Sequence, residues 1–213
     1  MNIDLKVTQL LVSRVCHDLA GGIGALSTGA ELLAEEQGTP DDAALNLIAL
    51  SAKQTTARLQ FLRLAFGLGA GQGGGEFITT HELQQLFANY IEGGRLSLQW
   101  NCENIQIGLS EGRLLLNLCL IASETLPRGG VIEVDINPVE GRLGFGLSAR
   151  GKNALLTPEF ATTICEDVNL DTLTPRNVQA HFTAVLGRAL GAELEFASVG
   201  EDEVRIAALL PEK

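Results

Sequence analysis

The sequence predicts an α+β protein: an N-terminal helical hairpin that pairs with a second copy into a four-helix bundle, then a C-terminal α/β sandwich. Three observations predict this. Apolar residues recur at heptad spacing through the first 66 positions. A segment dominated by glycine follows at 67–75. The rest alternates helical patterns with strand-like pairs.

Leu5, Val12, Leu19, Leu26 and Leu33 lie seven residues apart, and Val15, Gly22 and Gly29 each follow three positions after one of them, which is an a/d seam. A turn is expected at Gln37–Asp41, where Gly38 ends one helix and Pro40 stands near the start of the next. The second helix carries Leu45, Ile48, Ala52, Thr55, Leu59, Leu62 and Phe66 at alternating steps of three and four. Two narrow seams cannot close a core alone, so a homodimer is expected. The stretch GLGAGQGGG at 67–75 suits no regular element and reads as a flexible joint dividing a domain at 1–70 from one at 76–213.

In the second block, Thr79–Ile91 is a helix opened by a capping box of Thr79 and Glu82. Arg95–Trp100 and Ile105–Leu109 are strand-like, and Glu111–Leu126 is a strongly apolar helix. Val131–Asn137 and Arg142–Ser148 alternate as strands about a Pro-Val-Glu-Gly turn. Helices over Pro158–Asp167 and Pro175–Leu190 precede a final hairpin of Ala192–Ser198 and Val204–Leu210. Helices on one face of a mixed sheet accommodate this order.

Of the 213 residues 46% are hydrophobic and 19% charged, and the formal net charge is −11. That acidity argues against nucleic acid and against anionic membrane surfaces as partners. No run of 18 apolar residues marks a spanning helix, and the N-terminus lacks the parts of a signal peptide, so a cytoplasmic setting is expected. Cys16, Cys102, Cys119 and Cys165 are widely spaced and read as reduced, mostly buried thiols rather than disulfides or a thiolate metal site.

His17 has a chemical setting. At about 100° per residue it lies about 140° from Val12, so it faces away from the seam toward solvent. Leu10, Ser13, Arg14, Gly21, Gly24 and Thr28 are its outward neighbours, one to three turns away along the same side of the helix. Gly21, Gly22, Gly24 and Gly29 crowd the C-terminal half of this helix, each at a cost of about 0.8–1 kcal/mol relative to alanine. Such a cluster beside an exposed imidazole leaves room for a second protein to approach closely. Neutral imidazole is a good nucleophile toward phosphorus. Asp18 is placed to accept a hydrogen bond from one ring nitrogen, and Arg14 to neutralise a transferring phosphoryl group. An exposed histidine on a helix is most often only solvated. His81, in a first helical turn, and His181, beside the Val178/Val185 stripe, are read as structural.

The stretch Ser13-Arg14-Val15-Cys16-His17-Asp18-Leu19, with Ile23-Gly24-Ala25-Leu26 and Glu31-Leu32-Leu33, resembles the phosphoacceptor box of histidine kinase dimerisation helices. With the helix ending Glu124-Thr125-Leu126-Pro127-Arg128-Gly129-Gly130 and the strands after it, the chain resembles the ChpT-type histidine phosphotransferases more closely. The resemblance implies a phosphohistidine at His17, an adjacent acidic residue at Asp18, and a degenerate histidine kinase ATP-binding fold in the second block. It implies relay of phosphoryl groups between a receiver domain of an upstream hybrid histidine kinase and downstream response regulators. Leu10, Ser13, Arg14, Gly21, Gly24, Ala25 and Thr28 would form the docking patch. Gly22 stands where many kinases have proline. Alignment on Gly129-Gly130 puts Ile121 where a kinase carries its Mg²⁺-holding asparagine, although Asn117 survives one turn earlier. Ala149-Arg150-Gly151-Lys152-Asn153 replaces the adenine-reading Asp-x-Gly-x-Gly loop. An aliphatic side chain cannot ligate a hard cation. The chain is therefore expected to bind no cofactor and no metal of its own, Mg²⁺ arriving with the partner receiver. The alternatives are an ATP-dependent sensor kinase core and a non-catalytic receiver-binding dimeric regulator.

Overall fold

The computed structural model describes residues 4–35, 42–67, 76–164 and 168–212. Helices α1 (Leu5–Glu35) and α2 (Asp42–Phe66) form the hairpin. Gly22 meets Thr55 and Gly29 meets Ile48, so the helices run antiparallel. A Cβ added at Gly29 would stand 2.6 Å from Ile48 Cγ1, which is why this contact uses glycine. The predicted turn at 37–41 and positions 68–75 of the glycine joint lie outside the described residues.

The heptad seam of α1 is not one face. An α-helix with 3.6 residues per turn drifts about 20° per heptad, so a seven-residue repeat winds slowly around it. Leu5 and Val12 are 70% and 58% exposed, whereas Leu19, Leu26 and Leu33 are half-buried. Val15 and Leu19 pack against the core that α2 shares with the second block, while Gly22 and Gly29 touch α2.

The second block begins with a short strand the sequence reading missed, β1 (Phe77–Thr79), followed by α3 (Thr80–Ile91). Thr79 caps α3 as expected: the Glu82 N–H donates to Thr79 Oγ1 at 3.2 Å, and the Thr79 N–H donates to Glu82 Oε2 at 2.9 Å. That backbone donor holds the Glu82 carboxyl below its usual range. Strands β2 (Leu96–Asn101) and β3 (Gln106–Gly108) lead into α4 (Leu109–Glu124), then β4 (Gly130–Val139) and β5 (Arg142–Arg150). A short α5 (Pro158–Ile164), a 3₁₀ turn at Leu170–Thr172 and α6 (Val178–Ala189) precede β6 (Glu193–Ser198) and β7 (Glu203–Leu209).

β1 and β3 pair as an antiparallel ribbon. The main sheet has the order β2-β4-β5-β7-β6, parallel between β2 and β4 and antiparallel elsewhere. Its central strands alternate: Ile132, Val134 and Ile136 of β4, Phe145, Leu147 and Ala149 of β5, and Val204, Ile206 and Ala208 of β7 all face the helices. α4 is apolar on all sides because it is buried on all sides, with Leu114 to Ala122 enclosed between sheet and helices.

The two blocks share one core. Phe61, Leu62, Leu64 and Ala65 of α2 belong to the same cluster as α4 and the sheet. The Phe61 ring stacks on Tyr90 of α3 with centroids 4.3 Å apart, and Phe66 meets Phe182 of α6 edge-on at 5.5 Å. Asn117 Nδ2 donates to the Ala65 carbonyl at 2.8 Å and to the Arg113 carbonyl at 2.9 Å. Gln179 Nε2 donates to the Asn117 carbonyl at 3.0 Å, so this asparagine ties α4 to both α2 and α6.

Cys119 is fully buried, and burial pushes its thiol pKa up; Cys102 is half-buried. Cys16 departs from expectation: it is exposed on α1. Cys165 lies outside the described residues. His81 is exposed, with Nε2 2.9 Å from Gln85 Nε2. His181 is buried on α6, where burial lowers its pKa and Arg188 adds to the effect.

Candidate functional site

α1 carries His17 on a face that neither α2 nor the sheet domain covers, and its side chain is 86% exposed. Its Nδ1 lies 3.3 Å from Asp18 Oδ1, the long end of hydrogen-bond range. When Nδ1 carries the proton and donates to Asp18, Nε2 keeps a free lone pair that points outward. The adjacent Asp18 is only 16% exposed because it falls on the flank of α1 that meets the second block.

Asp18 is held in turn. Arg14, one turn earlier, donates from Nε to Asp18 Oδ2 at 2.9 Å. Its Nη2 donates to Glu124 Oε1 at the end of α4, and its Nη1 to the Pro175 carbonyl at 3.4 Å. Burial works against the Arg14 charge, but Glu124 and Asp18 hold its pKa above the ordinary value. Burial raises the Glu124 pKa, Arg14 opposes the rise and Asp18 adds to it. A fixed line of charge thus runs from Glu124 through Arg14 and Asp18 to the imidazole.

This corrects the role read for Arg14. Its side chain is 14% exposed and engaged by two carboxylates, so in this structure its guanidinium is committed within the chain rather than presented on the surface. It positions Asp18. Leu10 is half-buried rather than exposed, and Ala25 is half-buried too. Ser13, Gly21, Gly24 and Thr28 are exposed around His17 as expected.

A cavity of about 340 Å³ opens beside the imidazole, lined by His17, Asp18, Gly21, Arg58 and Tyr90. Sequence reasoning missed Arg58 and Tyr90. They come from α2 and α3, and no local pattern links either to His17. Only the register of the hairpin and the docking of α3 on α2 bring them there.

At the positions matched to a kinase's nucleotide site, Ile121 on α4 and Ala149 on β5 are fully buried in the core. Asn117 is likewise fully buried and spends its amide on the packing bonds given above. Among the described residues no group of three or more His, Cys, Asp or Glu side chains could hold a metal ion, and no helix is long and apolar enough to cross a membrane.

Comparison with known proteins gives the same picture over most of the chain. The profile of the family described as histidine phosphotransferase C-terminal domain matches residues 80–202. The protein phosphotransferase ChpT of Brucella abortus (strain 2308) is 31% identical over 200 residues, which cover 94% of each chain. The solved structure of a bacterial phosphotransferase superposes with a TM-score of 0.83 at 29% identity, covering 98% of both chains. Profile, sequence identity and superposition agree, and the chain belongs to the ChpT-type histidine phosphotransferases.

Proposed function

We propose that the chain works as a homodimer that relays phosphoryl groups between receiver-domain aspartates, with His17 as the carrier. The observation that carries the reading is the outward imidazole whose inner nitrogen faces a carboxylate itself fixed by Arg14 and Glu124. The Nε2 lone pair attacks phosphorus in line as the acyl phosphate P–O bond breaks, and that bond's electron pair leaves on the receiver's carboxylate. The ring becomes a phosphoimidazolium whose Nδ1–H faces Asp18, so the positive charge it gains sits against a fixed negative one. A second receiver reverses the step. Mg²⁺ belongs with the receiver. It needs several oxygen ligands, and Asp18, the carboxylate beside His17, is already engaged by Arg14.

Ser13, Gly21, Gly24 and Thr28, with the edges of Leu10 and Ala25, form the face on which a receiver docks. A Cβ added at Gly21 or Gly24 would meet nothing within 4 Å. In the free protein, Gly24→Ala is therefore expected to stabilise α1 by about 0.5–1 kcal/mol. It should also slow transfer from a receiver, because the methyl group projects into the docked partner. A melting curve and a transfer rate on the same preparation check the pair of effects.

Pairing of two hairpins is supported by a stripe that no described residue of the chain covers. Leu5, Val12, Ile23 and Ala30 on α1 fall within about 20° of one another, and all are exposed. Leu45 and Leu59 add exposed apolar positions on α2. Burying these against a second copy forms the four-helix bundle. The acidic chain acts in the cytoplasm, on receivers rather than on nucleic acid or membrane.

An autokinase reading is disfavoured by Ile121 and Ala149, where apolar core replaces a metal ligand and a base-reading carboxylate. Mixing one phosphorylated receiver with one unphosphorylated receiver tests the proposal. Phosphate is expected to move only when this protein is present, and labelled ATP alone is expected to leave the protein unlabelled. Self-labelling by ATP would establish the kinase reading instead.

A further inference from the structure

Arg58 and Tyr90 line the cavity beside the imidazole from two other elements, and neither has a polar partner among the described residues. Arg58 makes no ion pair or hydrogen bond with any described residue. Arg14, the other arginine near His17, is consumed by Asp18 and Glu124. Arg58 is therefore the uncommitted cation of the cavity, and a planar guanidinium fork matches phosphoryl oxygens.

The Tyr90 ring is stacked on Phe61 at 4.3 Å and lies nearly parallel to Phe87 at 6.4 Å, which fixes where its hydroxyl points. That hydroxyl has no hydrogen-bond partner among the described residues. Burial, then the charge of Asp18, pushes its pKa up to about 12, so it remains an O–H donor at neutral pH. Gly21 leaves the mouth of the cavity open. One unpaired cation and one unpaired hydroxyl donor beside a nucleophilic nitrogen call for a small oxyanion.

We infer that Arg58 and Tyr90 form a cradle that binds the non-bridging oxygens of the phosphoryl group as it reaches His17 and while it stays there. The inference rests on His17 being the acceptor, as proposed above. The N–P bond forms as the donor's P–O or P–N bond breaks, and the leaving group takes that bond's electron pair. The three non-bridging oxygens keep their negative charge throughout, and the cradle supplies the charge and the hydrogen bonds that meet it. The second block then has a chemical task although its nucleotide site is filled: through α3 it supplies one wall of the phosphoryl site.

The full-length protein is phosphorylated with two donors, a phosphorylated receiver and potassium phosphoramidate, which brings no protein surface. Phosphohistidine is followed by ³¹P NMR. Arg58→Met is expected to slow labelling about 100-fold and Tyr90→Phe about tenfold with either donor, while Arg58→Lys recovers part of the loss. Tyr90→Phe keeps the stacked ring, so its result stands on a folded protein even where Arg58→Met loosens the hairpin. Wild-type rates in both Arg58→Met and Tyr90→Phe would overturn the cradle. So would losses confined to the receiver donor that track weaker receiver binding. Label that persists in His17→Ala would overturn the histidine assignment beneath it, a different failure from unaffected cradle variants.

Discussion

Replacing His17 with alanine is expected to abolish phosphoryl uptake from a receiver and to leave the fold and the proposed pairing of hairpins intact. In the proposed relay the loss is complete rather than graded, because the substitution removes the atom that would accept the phosphoryl group. Asp18 cannot stand in, since its carboxylate is engaged by Arg14 and only 16% exposed. The fold is spared because the imidazole is 86% exposed and its one polar contact among the described residues is with its neighbour Asp18. Acid-labile label transferred from a phosphorylated receiver gives the first readout, and size-exclusion and melting profiles the second. His17→Gln extends the test, because it keeps a polar contact without a phosphorus nucleophile. Phosphate flow through that variant would mean the residue acts only as a docking contact.

Arg14→Met is expected to give the largest loss of stability of any single change near the site. It leaves Glu124 and Asp18 facing each other across a gap that only the guanidinium bridges. Removing one partner of a partly buried ion pair costs about 1–3 kcal/mol, less than for a fully buried one, because Glu124 keeps a third of its side chain in solvent while Asp18 keeps most of its desolvation penalty. The pH dependence has a definite sign. Burial already raises the folded-state pKa of Glu124, and Arg14 is what opposes that rise. In the variant the folded state binds this proton more tightly than the unfolded chain does, so stability recovers as pH falls through the raised pKa. Urea unfolding of the variant at pH 7 and pH 5.5 should show the deficit shrinking at the lower pH. Arg14→Met/Glu124→Gln should recover part of it at pH 7. Phosphotransfer should fall in Arg14→Met as well, since Asp18 loses its anchor.

Much of the second block was legible because each signal there is local. The Thr79–Glu82 capping box, the alternation of β4 and β5, and the all-apolar α4 each report their own surroundings. β1 was not legible, since three residues ending at a helix cap carry no period of their own. The seam of α1 was legible as a repeat but not as a set of environments. The seven-residue spacing drifts around the helix, so Leu5 and Leu33 end on different surfaces. At the site, His17 and Asp18 are adjacent in the chain and could be read together. Arg14 could be seen as near but not as buried, because its burial depends on Glu124, 110 residues away. Arg58 and Tyr90 reach the cavity only through the hairpin register and the docking of α3.

The shared core at the base of the hairpin limits how this chain can be divided. A cut after Gly67 would strip Phe61, Leu62, Leu64 and Ala65 of their covering and leave a sticky stump under the helices. The histidine-bearing stalk is therefore not a portable cassette. Whoever wishes to rewire such a relay by grafting must carry the whole chain across, or rebuild the floor on which the stalk stands.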